Sequence, residues 1–158
     1  MTKIAVFSDT HGSLAALDTF LPRLGMVDAV YHLGDCIDDS DAIAMRLCCG
    51  CVTVRGNCDP WSSTPLERVI PICGKRILLL HGHLVGGRQS LLYLAQSRNA
   101  DAVLFGHSHV ASLEQADGVL LLNPGSLSRP RSMDGASCAL LTVTEADLHA
   151  ELLFARTK

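Results

Sequence analysis

Five short polar clusters in this chain hold side chains that can bind or activate a ligand. They are Asp9-Thr10-His11, Gly34-Asp35, Gly56-Asn57-Cys58-Asp59, His81-Gly82-His83 and Gly106-His107-Ser108-His109. Taken singly, each has an ordinary reading: an Asp at a strand end caps a turn, and Gly-Asp and Gly-Asn are common turn dipeptides. Taken together, the same arrangement recurs five times in order, and convergent His and Asp mark a site. Carboxylates, imidazoles and one amide oxygen form a mixed O/N donor set. Such a set suits Mn, Fe, Zn, Ni or Co, whereas a structural zinc site would be rich in thiolates. The groups are too many for one ion. Two divalent ions sharing a bridging carboxylate would use them, and a pair about 3.5–4 Å apart is a common device for phosphoryl hydrolysis.

Each cluster follows an apolar run, which shows how it is positioned. Ile4 to Phe7, Ala29 to Leu33 and Val52 to Arg55 read as buried strands. Leu14, Leu17, Leu21 and Leu24 form one helical face with Ser13 as a possible cap, and Pro22 and Gly25 suggest a late fraying end. Ser40 to Leu47 reads as a second helix, capped by Ser40 or Asp39. Asp38, Asp39 and Asp41 then complement its dipole rather than bind a cation. Further on, Glu67 to Cys73, Lys75 to Leu80 and Ala102 to Phe105 are strand-like, with a helix near Gln89 to Gln96. Asp117-Gly118 marks a hairpin. Ala136 to Val143 and His149 to Phe154 close the chain as a pair. The expected fold is α/β, a single domain over residues 1–158. Its first half is parallel and its second antiparallel, and two sheets are expected because the later hairpins need a face to bury. Ligands then gather outside the carboxyl ends of the strands.

Composition agrees with a well-packed domain: 158 residues, 48% hydrophobic and 18% charged. That excludes a disordered chain. A net charge of −3 with no basic stripe argues against a nucleic-acid coat protein. The longest apolar runs fall far short of the ~18 residues a membrane span needs. Met1 to Asp9 shows no signal-peptide pattern. The seven cysteines are an odd number, which reads as reduced thiols in a cytoplasm. Cys48 and Cys51 form a C-x-x-C, but it follows a helix and precedes a strand, the reverse of a thioredoxin-like site. Small buried thiols are expected there, and core filler at Cys36, Cys73 and Cys138.

Asp9-x-His11, Gly34-Asp35, Gly56-Asn57, His81 and Gly106-His107-x-His109 together resemble the five motifs of the calcineurin-like metallophosphoesterases. The resemblance runs from Ile4 to about Arg131, and it implies a two-sheet β-sandwich flanked by helices, in agreement with the strand pattern. The compact size, Gly56-Asn57-Cys58-Asp59 and Asn123-Pro124-Gly125-Ser126 with Pro130-Arg131 resemble the small prokaryotic YfcE-type phosphodiesterase branch. The resemblance implies two divalent metal ions, manganese first, with Ni, Fe, Zn or Co as the other options. One would be held by Asp9, His11, Asp35 and His109, the other by Asp35, Asn57, His81 and His107, so that Asp35 bridges. It further implies hydrolysis of a P–O ester by a hydroxide held between the ions, with Asn57 helping to position a small-molecule phosphate ester. His83 either supports a ligand or touches substrate, and with a metal-bound water it is a candidate acid for the leaving group. Asp59 either orients a ligand His or makes a turn.

One departure matters. Many members have a His after Gly-Asn, where this chain has Cys58. A neutral thiol is a poor substitute for an imidazolium acid, so phosphodiesters or substrates with good leaving groups are expected to outrun alkyl monoesters. Phosphomonoester or nucleotide hydrolysis is the alternative. A non-catalytic scaffold like the retromer subunit of similar fold is the remaining one, disfavoured by the complete donor set. Relatives commonly self-associate, so a homo-oligomer is among the implied states. Arg129 and Arg131 read either as phosphate contacts or as solvated surface, and Trp61 either stacks on a substrate or packs.

Overall fold

A computed structural model describes residues 1–156. Its strands are β1 (Thr2–Phe7), β2 (Ala29–His32), β3 (Gly50–Thr53), β4 (Glu67–Ile72), β5 (Lys75–Leu80), β6 (Ala102–Leu104), β7 (Ser112–Ala116), β8 (Val119–Asn123), β9 (Ser137–Val143) and β10 (Leu148–Phe154). Three helices accompany them: α1 (Leu17–Leu24), α2 (Asp39–Leu47) and α3 (Arg88–Arg98). The strands form two five-stranded sheets, ordered β10-β9-β1-β2-β3 and β4-β5-β6-β8-β7.

Strand alternation builds the layers. Ile4 and Val6 of β1 face the second sheet, where they meet Ile77, Leu79, Leu104 and Leu122. Ala5 and Phe7 face the other way and pack with Leu17, Phe20 and Leu24 of α1 and Ile43 of α2. The second sheet repeats the scheme, with Leu78, Val103 and Leu121 turned toward Leu91 and Ala95 of α3. Side chains of a strand alternate between its faces, so each central strand feeds two cores. Among the described residues, no helix is long and apolar enough to cross a membrane.

The two-sheet sandwich with flanking helices is as expected, but the division of strand directions is not. β9 and β10 join the first sheet, where β9 runs antiparallel to β1. In the second sheet β5, β6 and β8 are parallel, and β4 and β7 are antiparallel edges. β1 is fully buried over its last four residues and needs a partner on both sides; the returning C-terminal hairpin provides the second.

Helix starts also shift. α1 begins at Leu17, and neither Ser13 nor Ala16 caps it through a side chain. His11 and Gly12 take left-handed backbone angles (φ 46° and 78°), which carry the chain through a turn first. α2 is likewise entered without a side-chain cap, and the Asp39 carboxylate accepts from the Gly12 N–H (2.9 Å), bracing that turn.

Candidate metal centre

The polar ends of β1, β2, β3 and β5 and the loop after β6 meet at one edge. Here the backbone is unusual: Asp9, His11, Asp35, Cys36, His107 and His109 all have φ between 46° and 70°. Non-glycine residues rarely occupy this region, and such strain clusters at functional sites. It turns Asp9 and His11, and likewise His107 and His109, toward a common point. The glycines beside them permit close approach. A Cβ on Gly106 would lie 2.8 Å from Asp9 Oδ2 and nearer still to Ser8 Oγ; one on Gly56 would lie 2.7 Å from the Asp35 nitrogen.

Asp9, His11, Asp35 and His109 present one donor atom each, all within 4.8 Å of one another. Beside them His81 Nε2 lies 3.4 Å from Asp35 Oδ2 and 3.1 Å from Asn57 Oδ1. The His107 ring centroid is 5.2 Å from that of His81.

Proton positions follow from the partners. His81 Nδ1–H donates to the Leu33 carbonyl (2.7 Å) and His109 Nδ1–H to the Arg129 carbonyl (2.8 Å), because a carbonyl only accepts. In neutral rings both Nε2 atoms then carry lone pairs. Asp9 Oδ2 is satisfied by Ser8 Oγ–H (2.6 Å) and the His107 N–H (3.0 Å). Asp9 Oδ1 is buried with no hydrogen-bond partner. It faces His109 Nε2 at 3.2 Å, His81 Nε2 at 3.7 Å and His11 Nε2 at 3.9 Å. Acceptors aimed at acceptors in a buried site require a positive charge between them. Burial opposes charge on His81, yet its hydrogen bond to Asp35 and the charges of Asp9 and Asp35 outweigh that and raise its pKa. Burial would likewise raise Asp35, but hydrogen bonds from His81 and the Cys58 N–H hold its carboxyl well below the usual range. In the absence of a cation the same carboxylates draw a proton onto His81; the orphaned Asp9 Oδ1 and the Nε2 atoms facing it are what fit divalent metal ions.

The family profile of the calcineurin-like phosphoesterase superfamily domain matches residues 2–146. The chain belongs to that superfamily. It is 36% identical over 144 residues to a probable metallophosphoesterase, YsnB, from Bacillus subtilis, covering 89% of this chain and 83% of that protein. It is 29% identical over 171 residues to the phosphodiesterase YfcE of Escherichia coli K12, covering 89% and 88%. Among solved structures, a predicted phosphoesterase from Streptococcus pneumoniae TIGR4 superposes with TM-score 0.79 at 31% identity, covering 98% of this chain and 90% of that one. Wild-type Vps29 of Entamoeba histolytica, complexed with zinc, superposes with TM-score 0.78 at 25% identity over 98% and 99% of the chains.

Several residues that brace this site were missed or left open from sequence. Asp59 touches no histidine. Its carboxylate accepts four backbone N–H groups: Asp35 and Gly56 on Oδ2 (2.8 Å each), and Cys36 (2.8 Å) and Ile37 (3.1 Å) on Oδ1. It ties the loop after β2 to the loop after β3. In the Asn123-Pro124-Gly125-Ser126 turn, Ser126 Oγ–H donates to the Asp9 carbonyl (2.7 Å) and Asn123 Nδ2–H to the Gly106 carbonyl (3.1 Å). Their signal was the turn motif itself, read only as a turn.

His32, which no motif claimed, lies fully buried beneath the site. Its Nδ1 accepts from the Gly34 N–H (3.3 Å), so Nε2–H donates to Thr10 Oγ (3.0 Å). Burial holds its pKa down to about 4, against 6.5 unshifted. The unfolded chain therefore binds more protons between those values. The linked stability is complete above pH 6.5 and is lost as pH falls toward 4, by ~3 kcal/mol. Urea unfolding of wild type and His32→Gln at pH 7 and pH 4.5 should show a steeper loss in wild type. Equal losses would refute this role.

His83 stands beside the donors, its ring centroid 5.4 Å from His81, and its buried Nδ1 has no partner. Burial and the neighbouring His81 and His107 lower its pKa. Cys58 is exposed, and burial of the thiol with the nearby Asp35 charge pushes its pKa up, leaving it neutral. All the cysteines are free: Cys138 is core filler as expected, Cys73, Cys49 and Cys51 are half-buried against the cores, Cys36 is partly exposed, and Cys48 is exposed where a buried thiol was expected. Cys48, with left-handed backbone (φ 54°), is the C-cap of α2. Trp61 is 97% exposed and packs on nothing. An open cavity of about 640 Å³ is lined by His11, Asp35, Asn57, Cys58, His107, His109 and residues 129–131.

Proposed function

We propose that this protein is a metal-dependent phosphodiesterase using two divalent ions. The buried, unpartnered Asp9 Oδ1 facing three imidazole Nε2 atoms carries the reading. Asp9, His11, Asp35 and His109 would hold one ion, and Asp35, Asn57, His81 and His107 the other, with manganese the first candidate and Ni, Fe, Zn or Co alternatives. When bound, divalent ions supply Lewis acidity toward phosphoryl oxygens and acidify water enough to make a nucleophile near neutral pH.

The chain's own residues do the positioning. Leu33 O and Arg129 O hold the rings of His81 and His109 with Nε2 inward. Such partners fix ring orientation and raise basicity. Asn57 and the histidines lining the cavity orient the phosphate ester. No imidazolium stands at Cys58 to protonate a departing alkoxide; His83, its ring centroid 5.4 Å from that of His81, is the candidate for that task. Diesters with good leaving groups follow as the preferred class, as the likeness to YfcE also suggests. The free thiols fit a reducing compartment, and we place the protein in the cytoplasm. The Vps29 likeness supports the fold; the intact donor set favours catalysis over a scaffold.

The test is reconstitution of metal-stripped protein with Mn, Ni, Fe, Zn or Co. A bis-aryl phosphodiester should be hydrolysed only after metal addition, with kcat/KM at least ~10-fold above an alkyl phosphate monoester. Cys58→His should narrow that gap, since a positioned acid contributes roughly 10²–10⁴-fold. Turnover without metal, or faster monoester hydrolysis, would refute the proposal.

A further inference from the structure

We propose that Arg129 and Arg131 form a second anion subsite in the catalytic cavity, so that the preferred phosphodiester carries an additional phosphate on the group retained after cleavage. This rests on the phosphodiesterase reading and narrows its substrate class.

The two arginines stand out by what they lack. Arg46, Arg88 and Arg98 pair with Asp18, Glu114 and Glu67. Arg23, Arg55, Arg68 and Arg76 donate to backbone carbonyls. Among the described residues the guanidinium groups of Arg129 and Arg131 have no such partner, yet both line the cavity that His11, Asp35, Asn57, His107 and His109 share. Among the described residues Arg156 likewise has no such partner, but it lies outside that lining.

Their backbone is held in place. The Arg129 N–H donates to Ser126 Oγ (2.9 Å), the Arg129 carbonyl accepts from His109 Nδ1 (2.8 Å), and the Arg131 N–H donates to the His109 carbonyl (2.9 Å). Pro130 between them fixes its own φ and biases Arg129 toward extended backbone. Both arginines line the one cavity. The cavity, about 640 Å³, has the size of a whole small-molecule site rather than one phosphoryl group. Guanidinium forks recognise phosphate bidentately.

The probes are thymidine 5′-(p-nitrophenyl phosphate) and the same ester bearing a 3′-phosphate. Both release p-nitrophenol, so leaving-group chemistry is constant and the added phosphate is the sole variable. The expected result for the metal-loaded protein is a KM about tenfold lower for the 3′-phosphorylated ester, with kcat changed less than about twofold. The kcat/KM ratio should fall to about one in the Arg129→Gln/Arg131→Gln double variant and persist in Arg156→Gln. Calorimetric Kd values for thymidine 3′,5′-bisphosphate and thymidine 5′-monophosphate give the same ratio without turnover. If neither ester is cleaved, the phosphodiesterase reading falls while the Kd ratio still decides the subsite. A wild-type ratio near one, or a ratio untouched in the double variant, overturns the proposal.

Discussion

Asp35→Ala is expected to release both metal ions and lower phosphodiester hydrolysis by roughly 10³-fold or more, the scale seen when a group stabilising developing charge is lost. The reason lies in the position of one carboxylate. Its Oδ2 is 3.6 Å from His11 Nε2 on one side and 3.4 Å from His81 Nε2 on the other. Its Oδ1 accepts from the Cys58 N–H (2.9 Å), which fixes the carboxylate plane. Asp9 Oδ1 also faces both groups, 3.2 Å from His109 Nε2 and 3.7 Å from His81 Nε2, but its other oxygen is taken by Ser8 and the His107 N–H. Elemental analysis of purified variant and wild type should show two ions per chain reduced to nearly none. Asp35→Asn keeps an acceptor for Cys58 and so guards against a folding defect. If either variant retains two tightly bound ions, the bridging role is wrong.

Asp59→Ala should destabilise the protein by ~3 kcal/mol and weaken metal binding 10–100-fold, although Asp59 offers no donor to a metal. One carboxylate satisfies four backbone N–H groups. Unsatisfied buried donors cost about 1–3 kcal/mol each, and water entering the loosened loop offsets part of that. The Asp35 nitrogen is among the released groups, so the loss reaches the Asp35 carboxylate directly. Urea unfolding and metal titration measure the two effects. A variant within ~0.5 kcal/mol of wild type, with unchanged metal affinity, would show that the loop holds its own shape.

Both substitutions act through residues conspicuous in the sequence, but only one had a readable role. Asp35 follows an apolar strand and a glycine, so its place at a strand end was legible. Asp59 looked like a turn residue or a partner of histidine, because its four donors come from backbone at 35–37 and 56, and backbone groups leave no mark in a sequence. Arg129 and Arg131 were equally ambiguous until they lined the same cavity as His11 and His109. His32 was invisible as a site element: a histidine inside a strand carries no motif.

Local pattern, then, was enough for the strands, the three helices, the two-sheet class and the five polar ends. Apolar periodicity and turn residues are properties of neighbouring positions, and they survive in one dimension. Strand partners do not. Alternation tells which face a residue uses but not which strand lies beside it, so the pairing of β9 with β1 across most of the chain length emerged only on folding. Proton placement on His81 and His109 is of the same kind, set by carbonyls of Leu33 and Arg129 that long-range packing brings within 2.8 Å. The sequence by itself determined which side chains are available for metal chemistry. The tertiary structure decided which atoms of them face one another, because hydrogen bonds to a distant backbone exist only after the chain has closed on itself.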